Sequence, residues 1–302
     1  MPAPLRICCL LACLAWSSTA LAQDNVIRND EQLVESRPEA WAMRYFTGTT
    51  LMTPFGPEPT LAPGQMQLAG ELGSVPRLDE AQRRVGFNGI KLEDLNKSPV
   101  VGRLRGWIGL PWGFVAELGF VPPVSLNGTK PRDLFSAAIG RRLIDDNGFV
   151  VSARAVGQHG AAVGDITCPA DIAGSQDYAR NPFGCDAPSS DTLSMNYYGF
   201  DGTAALVTGA WTWHGSLGLV RMENQVQVDA LTYGLPDRSR LVAQHDQVYV
   251  AAGVGRDFWR GWHAAAEVLY VPLTVLRVPD GSAENDSLVS FRLQLAYRFA
   301  HD

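Results

Sequence analysis

Cysteine is scarce in this 302-residue chain, aromatic residues make up only 9% of it, and no long apolar run appears after residue 22. Each shortage excludes something. Without a run of about 18 apolar residues, no helical membrane span is expected. Of the five cysteines, Cys8, Cys9 and Cys13 fall in the first 22 residues, leaving Cys168 and Cys185 for the rest of the chain. Two thiols with no His pair nearby fall short of a zinc set, so no metal is expected. They suffice for one disulfide, and the Pro-, Gly-, Asp- and Ser-rich stretch between them has the composition of an exposed loop that needs a staple. The formal charge of −6 becomes −7 once Arg6 is removed, which argues against nucleic acid as a partner. Gly253-Val254-Gly255 has no helix after it, so it is no phosphate loop, and no cofactor is expected.

Residues 1–22 have the form of a secretory signal peptide. Arg6 supplies the positive end, Ile7 to Trp16 the short apolar region, and Ala20-Leu21-Ala22 the cleavage site, leaving Gln23 first in the mature chain. A lipid-modified start at Cys13, preceded by Leu10-Leu11-Ala12, is the rival; its apolar region would be only about half a dozen residues long.

After Gly64 the sequence takes a period of two. Segments of about ten residues set large apolar side chains on one face and small or charged ones on the other, the pattern of a strand between lipid and a polar interior. In Leu288 to Phe299, Val289, Phe291, Leu293, Leu295, Tyr297 and Phe299 share one face, while Ser290, Arg292, Gln294, Ala296 and Arg298 share the other. Gly113 to Val121, Val101 to Leu110, Asp133 to Leu143, Phe149 to Gln158 and Gln247 to Gly255 repeat the arrangement. Gly202 to Ala210 and Ser216 to Glu223 are strands of undetermined phase.

Four connections are tight: Pro111-Trp112-Gly113, Asp145-Asp146-Asn147-Gly148, Trp211-Thr212-Trp213-His214 and Trp259-Arg260-Gly261. They alternate with long polar segments near residues 76–98, 123–132, 159–200, 225–245 and 273–286. The expected fold is therefore all-β, a closed antiparallel transmembrane β-barrel of ten strands over residues 64–302, with short periplasmic turns and long extracellular loops. Twelve is the alternative count, if Leu193 to Phe200 forms a strand of its own. An even number places both ends of the barrel on the periplasmic side, and tryptophans at the tight turns suit an interfacial girdle.

Residues 23–63 form an N-terminal extension, either periplasmic or inserted in the lumen. There Ser36-Arg37-Pro38-Glu39 has the form of a capping box with an early Pro, opening a short helix through Ala40, Trp41, Ala42 and Met43. Pro54, Pro57, Pro59 and Pro63 then forbid regular structure.

Together these features resemble the bacterial outer-membrane β-barrel proteins as a broad class. The resemblance implies a Gram-negative outer membrane, with lipid and lipopolysaccharide around the barrel. It also implies an assembly signal at Leu293, Leu295, Tyr297 and Phe299, read by the barrel-assembly machinery. Ala300, His301 and Asp302 follow Phe299, so the terminal-residue form of that signal is not met. Proteases of the omptin type use an Asp-x-His element, but His245 and Asp246 are adjacent and point to opposite faces of a strand. His214-Gly215-Ser216 has the His-x-Ser spacing of outer-membrane lipid A deacylases, yet falls at the periplasmic end, where a turn histidine is the simpler reading. The sequons Asn96-Lys97-Ser98, Asn127-Gly128-Thr129 and Asn285-Asp286-Ser287 are loop composition.

The remaining clue is charge on the lumen face: Arg103, Arg105, Glu117, Arg142, Arg154, Glu267 and Arg292. Arg at the lipid-facing midplane costs roughly 2–4 kcal/mol, so these side chains face inward. In a narrow lumen they interlock as a charged plug, and the barrel is a structural or interaction protein working through its extracellular loops. In a wide one the surplus of Arg lines a porin-like channel for small solutes, anions among them. An enzyme is the third and weakest reading.

Overall fold

The computed structural model describes residues 25–277 and 281–299. The signal-peptide reading and the Ala300-His301-Asp302 tail lie outside them. Ten antiparallel strands close into a barrel: β1 Met66–Ser74, β2 Val100–Gly109, β3 Phe114–Phe120, β4 Lys130–Asp146, β5 Phe149–Gly164, β6 Asp191–Thr208, β7 Trp211–Gln227, β8 Arg240–Trp259, β9 Trp262–Val271 and β10 Leu288–Arg298. Neighbours in sequence pair throughout, and β10 pairs with β1 (Leu293↔Leu72, Tyr297↔Leu68) to close the ring. Every backbone group of such a ring can be bonded strand to strand, the condition for crossing a membrane without helices. Leu193 to Phe200 extends β6, so the count is ten and not twelve.

The alternation read from the sequence is the alternation of burial. On β10, Phe291 is 67% exposed and its neighbour Arg292 is 1% exposed. The outer face carries Leu68, Leu72, Leu104, Leu118, Ile139, Leu217, Leu219 and Val250, all exposed. Trp112, Trp211, Trp213 and Trp259 ring the short-turn end. A second aromatic set, Phe135, Tyr198, Phe200, Tyr270 and Phe291, is exposed further along the strands. Its members lie about seven to twelve residues from the short-turn end, which with strand tilt is roughly 18–30 Å and brackets the height of a barrel's apolar band, about 25 Å. The molecule thus has the architecture of an outer-membrane β-barrel.

Three sequence-based expectations need correction. The β6–β7 turn is Gly209-Ala210, with Thr208 opposite Trp211, so Trp211 to His214 already belong to β7. Gly209 adopts φ +60, the conformation a two-residue hairpin requires there. The strands on the long-loop side also reach further than expected. β4 to β8 have 16 to 20 residues against 7 to 11 in the other five, so the loops shrink to residues 165–190 and 228–239. One wall of the barrel is consequently tall and the other low. Finally, helix α1, Pro38–Thr49, starts after Arg37 with no side-chain cap, because Pro38 takes the first helical position and displaces the Ser36 capping box.

α1 lies inside the barrel, packing against β6, β7, β8 and β10, and nearly all of it is buried. Before it, Asp30–Gln32 pairs in parallel with Arg240–Val242 at the long-loop end of β8, and Ile27 N–H donates to Pro236 O. After it, residues 50–63 descend to the short-turn end, where Gly64 N–H donates to Gly109 O. The described N-terminal stretch therefore begins at the long-loop mouth and runs the length of the lumen. Both ends of the barrel proper lie at the short-turn rim, but residue 25 does not.

Candidate functional site

The lumen is occupied by its own chain. Main-chain carbonyls at the C-terminal end of α1 have no further helical partners, and their dipoles favour cations. Arginines from separate strands meet them. Arg292 Nη2 donates to Gly48 O (3.2 Å) and Thr49 O (3.0 Å), and its Nη1 donates to Leu51 O (2.5 Å). Arg103 donates to Thr50 O and Leu51 O, and Arg154 to Met52 O. Met52 N–H donates to the Tyr197 hydroxyl at 2.8 Å, and the Thr53 hydroxyl to Glu267 Oε1 at 2.5 Å. Lower down, Arg142 Nε donates to Glu58 O at 2.6 Å.

Carboxylates balance the arginines. Arg105 and Arg154 share Glu117, at 2.5 Å from Arg105 Nε and 2.7 Å from Arg154 Nη1. Arg154 also binds Asp201 at 2.8 Å, and Tyr249 donates to the same carboxylate at 2.7 Å. Glu71 lies between Arg103 (3.6 Å), Arg105 (3.4 Å) and Arg292 (3.8 Å). The surplus of Arg counted on the sequence disappears, because Glu71 and Asp201 add two buried carboxylates and Arg142 lies at the rim rather than inside. Such a buried network is costly to desolvate and stable only when fully paired, which suits a filler better than a solute path.

Six of the seven expected lumen residues, Arg103, Arg105, Glu117, Arg154, Glu267 and Arg292, are buried inside. Arg105 and Glu117 meet as the β2–β3 hairpin requires. Glu267 and Arg292 are register partners on β9 and β10, yet Arg292 turns to the plug while Glu267 takes Thr53 and lies 3.4 Å from His214. Arg142 is the exception: it sits half-exposed at the short-turn rim, bound to Glu58 O and Asp145, because the β4–β5 turn follows within a few residues. Small inward residues have a use as well. A Cβ at Gly119 would stand 3.0 Å from Met52 Sδ, and one at Gly140 would stand 2.7 Å from the Glu58 carboxyl, so these positions admit the plug.

His214 is a buried strand residue, not a turn histidine. Ser216 shares its inward face, but the Ser216 hydroxyl bonds Thr203 at 2.9 Å. His245 points inward and Asp246 outward, as adjacency dictates. Among the described residues no group of three or more His, Cys, Asp or Glu side chains is placed to hold a metal. Leu293, Leu295 and Phe299 are exposed on the outer face, where Tyr297 packs between Trp262 and Phe299.

Above the lumen the loops form a cross-linked crown. Cys168 and Cys185 are joined, and Cys185–Ala187, Ala230–Thr232 and Leu235–Asp237 form a small sheet. Lys97 bridges the loops at Asp94 (2.6 Å) and Asp165 (2.7 Å). Lys91 pairs with Glu93 at 2.8 Å, yet burial pushes the Glu93 carboxyl up to about 7 against that pull. Phe87 stacks on Phe183, and the Tyr233 ring lies against Gly184. Phe87, Tyr178 and Tyr233 nonetheless remain exposed.

No protein-family model matches the chain, and no curated protein matches it. Solved structures do, in fold. The outer membrane protease OmpT of Escherichia coli is 11% identical, with 80% of this chain and 99% of that one covered and a TM-score of 0.37. The attachment invasion locus protein Ail of Yersinia pestis is 9% identical, covering 79% and 100%, with a TM-score of 0.30. The toluene transporter TodX of Pseudomonas putida is 11% identical, covering 88% and 71%, also at 0.30.

Proposed function

We propose that the protein is a closed outer-membrane barrel without catalytic or channel activity, which presents a rigid loop crown to the cell exterior. The observation that carries this reading is the threaded segment from Gly48 to Glu58, bound along its length by side chains from β2, β4, β5, β6, β9 and β10. A passage for solutes would have to break that set of bonds. The crown supports the other half of the reading: its disulfide and the Lys97–Asp165 ion pair between two loops limit motion, and a rigid patch of exposed aromatics suits contact with a partner. The long-loop end faces outward in this reading, and outer-membrane lipid and lipopolysaccharide surround the wall. Planar-bilayer recording of purified protein tests it. Wild type gives no discrete conductance steps, and steps that change in an Arg154→Ala variant would instead establish a channel.

A further inference from the structure

The wall is incomplete at one place. β2 runs from Val100, but its pairing with β3 begins only at Leu104↔Phe120. Pro122 and Pro123 follow Val121, and neither can donate a hydrogen bond to a ladder. β4 continues beyond this point, pairing with β5 at Lys130 to Arg132, so the gap between β2 and β4 is not filled by a strand. Its sill is the stacked pair Phe120 and Phe135, ring centres 4.9 Å apart.

A cavity of about 740 Å³ occupies this gap. On the inside it reaches Phe46 of α1 and Leu193 and Met195 of β6; on the outside it reaches Leu72 and Leu104, which face lipid. From Phe114 to Phe120 the strand rises roughly 20 Å, or about 15 Å along a tilted barrel axis, so the sill lies within the apolar band of about 25 Å. The opening therefore meets hydrocarbon near the upper aromatic set.

We infer that this opening is a lipid site, and that an acyl chain of a lipid in the surrounding leaflet enters between β2 and β4 and lies against Phe46, Leu193 and Met195. The chemistry follows from the surroundings. Most of the cavity wall is aliphatic and aromatic, with Glu71, Lys97 and Arg103 at its borders, and the medium at its mouth consists of acyl chains. The inference rests on the membrane placement proposed above and adds a ligand to it.

The test places a diazirine-bearing leucine analogue at Leu193 in one preparation and at Leu269 in another. Leu269 is equally enclosed, on β9, but does not line the cavity. Each protein is reconstituted in vesicles of one defined phosphatidylcholine, illuminated, and analysed by mass spectrometry for lipid adducts. The expected result is several-fold more adduct at position 193 than at 269. A Gly102→Phe substitution, which adds a ring to the lipid-side rim, lowers the adduct at 193 while leaving folding, followed by circular dichroism, unchanged. Vesicle flotation separates the failures. Protein that does not float with vesicles defeats the membrane placement and the lipid site together, whereas floating protein with equal adduct at both positions defeats the lipid site alone.

Discussion

Arg292 Nη2 lies 3.0 Å from the carbonyl oxygen of Thr49, so the last strand of the barrel holds the end of its first helix. Replacing Arg292 with Met leaves the Thr49 carbonyl without its donor and Glu71 with one cation fewer. Removing one member of a buried charged set costs about 3–5 kcal/mol. Chemical unfolding in detergent should show a loss of that order, with Arg292→Lys recovering part of it. An unchanged midpoint for Arg292→Met would show that the plug is not held here.

Glu117 serves two arginines, so its contribution should be coupled to theirs. Glu117→Gln and Arg105→Met are each expected to destabilise. The double variant should be more stable than the sum of the two losses implies, by about 0.5–3 kcal/mol. A double-mutant cycle by denaturant unfolding measures this directly, and additivity would contradict the shared pair.

The threaded N-terminus makes a topological prediction. A cysteine at Arg28, in a background where Cys168 and Cys185 are Ser, should react with a membrane-impermeant maleimide on intact cells. A cysteine at Arg298, at the short-turn rim, should react only after the outer membrane is opened. The reverse pattern would mean that residues 25–37 do not occupy the outer mouth.

Opening the disulfide should loosen the crown and spare the barrel. The bridge spans 17 residues, for which chain-entropy arguments give about 3 kcal/mol. A Cys168→Ser, Cys185→Ser protein should therefore be cleaved faster by proteases between 169 and 184, giving two fragments that each resist further digestion.

The Lys97–Asp165 clamp gives a pH dependence. Burial alone would push the Asp165 carboxyl up, but hydrogen bonds from Lys97 and the Ala170 N–H outweigh it and hold it below the usual range. Burial would likewise lower Lys97, but Asp165 and Asp94 hold it higher. A depressed acid contributes stability above its unfolded value, about 3.9, and loses it as pH falls through the folded one; the raised Lys contributes fully below about 10.4 and loses it as pH rises. Amide protection at residues 165–170 should thus exceed that of a Lys97→Met variant at pH 6, and the difference should shrink as pH falls below the usual carboxylate range. A constant difference across that range would remove the ion pair from the account.

The sequence was most legible where the two faces of a strand differ sharply, as at Phe291 and Arg292. It was least so where both faces are small. Gly202 to Ala210 offers Ala and Gly to either side, so its phase stayed open, and Asp201 just before it escaped notice as the partner of Arg154. The tryptophans at 211 and 213 drew the hairpin turn toward themselves, although Gly209 carries the conformation that makes it. Whether residues 23–63 are periplasmic or inserted in the lumen was left open by the sequence, because the bonds that hold the segment to the wall are made by main-chain carbonyls, which every residue possesses and no residue pattern advertises. Inward glycines such as Gly119 and Gly140 were a faint trace of it, since a lumen filled by side chains alone has less reason to keep them bare.

Residue 25 stands at one mouth of the barrel and residue 64 at the other, while the seam joining Leu68 to Tyr297 closes the ring around what lies between. A finished cylinder would have to be threaded like a needle. The segment ahead of the first strand must therefore already be lying in place when the final hairpin arrives, and the wall is wrapped around it. Assembly intermediates that stall before β10 should expose this segment, and a chain whose leading residues are tethered to a bulky folded domain should fail to close at all.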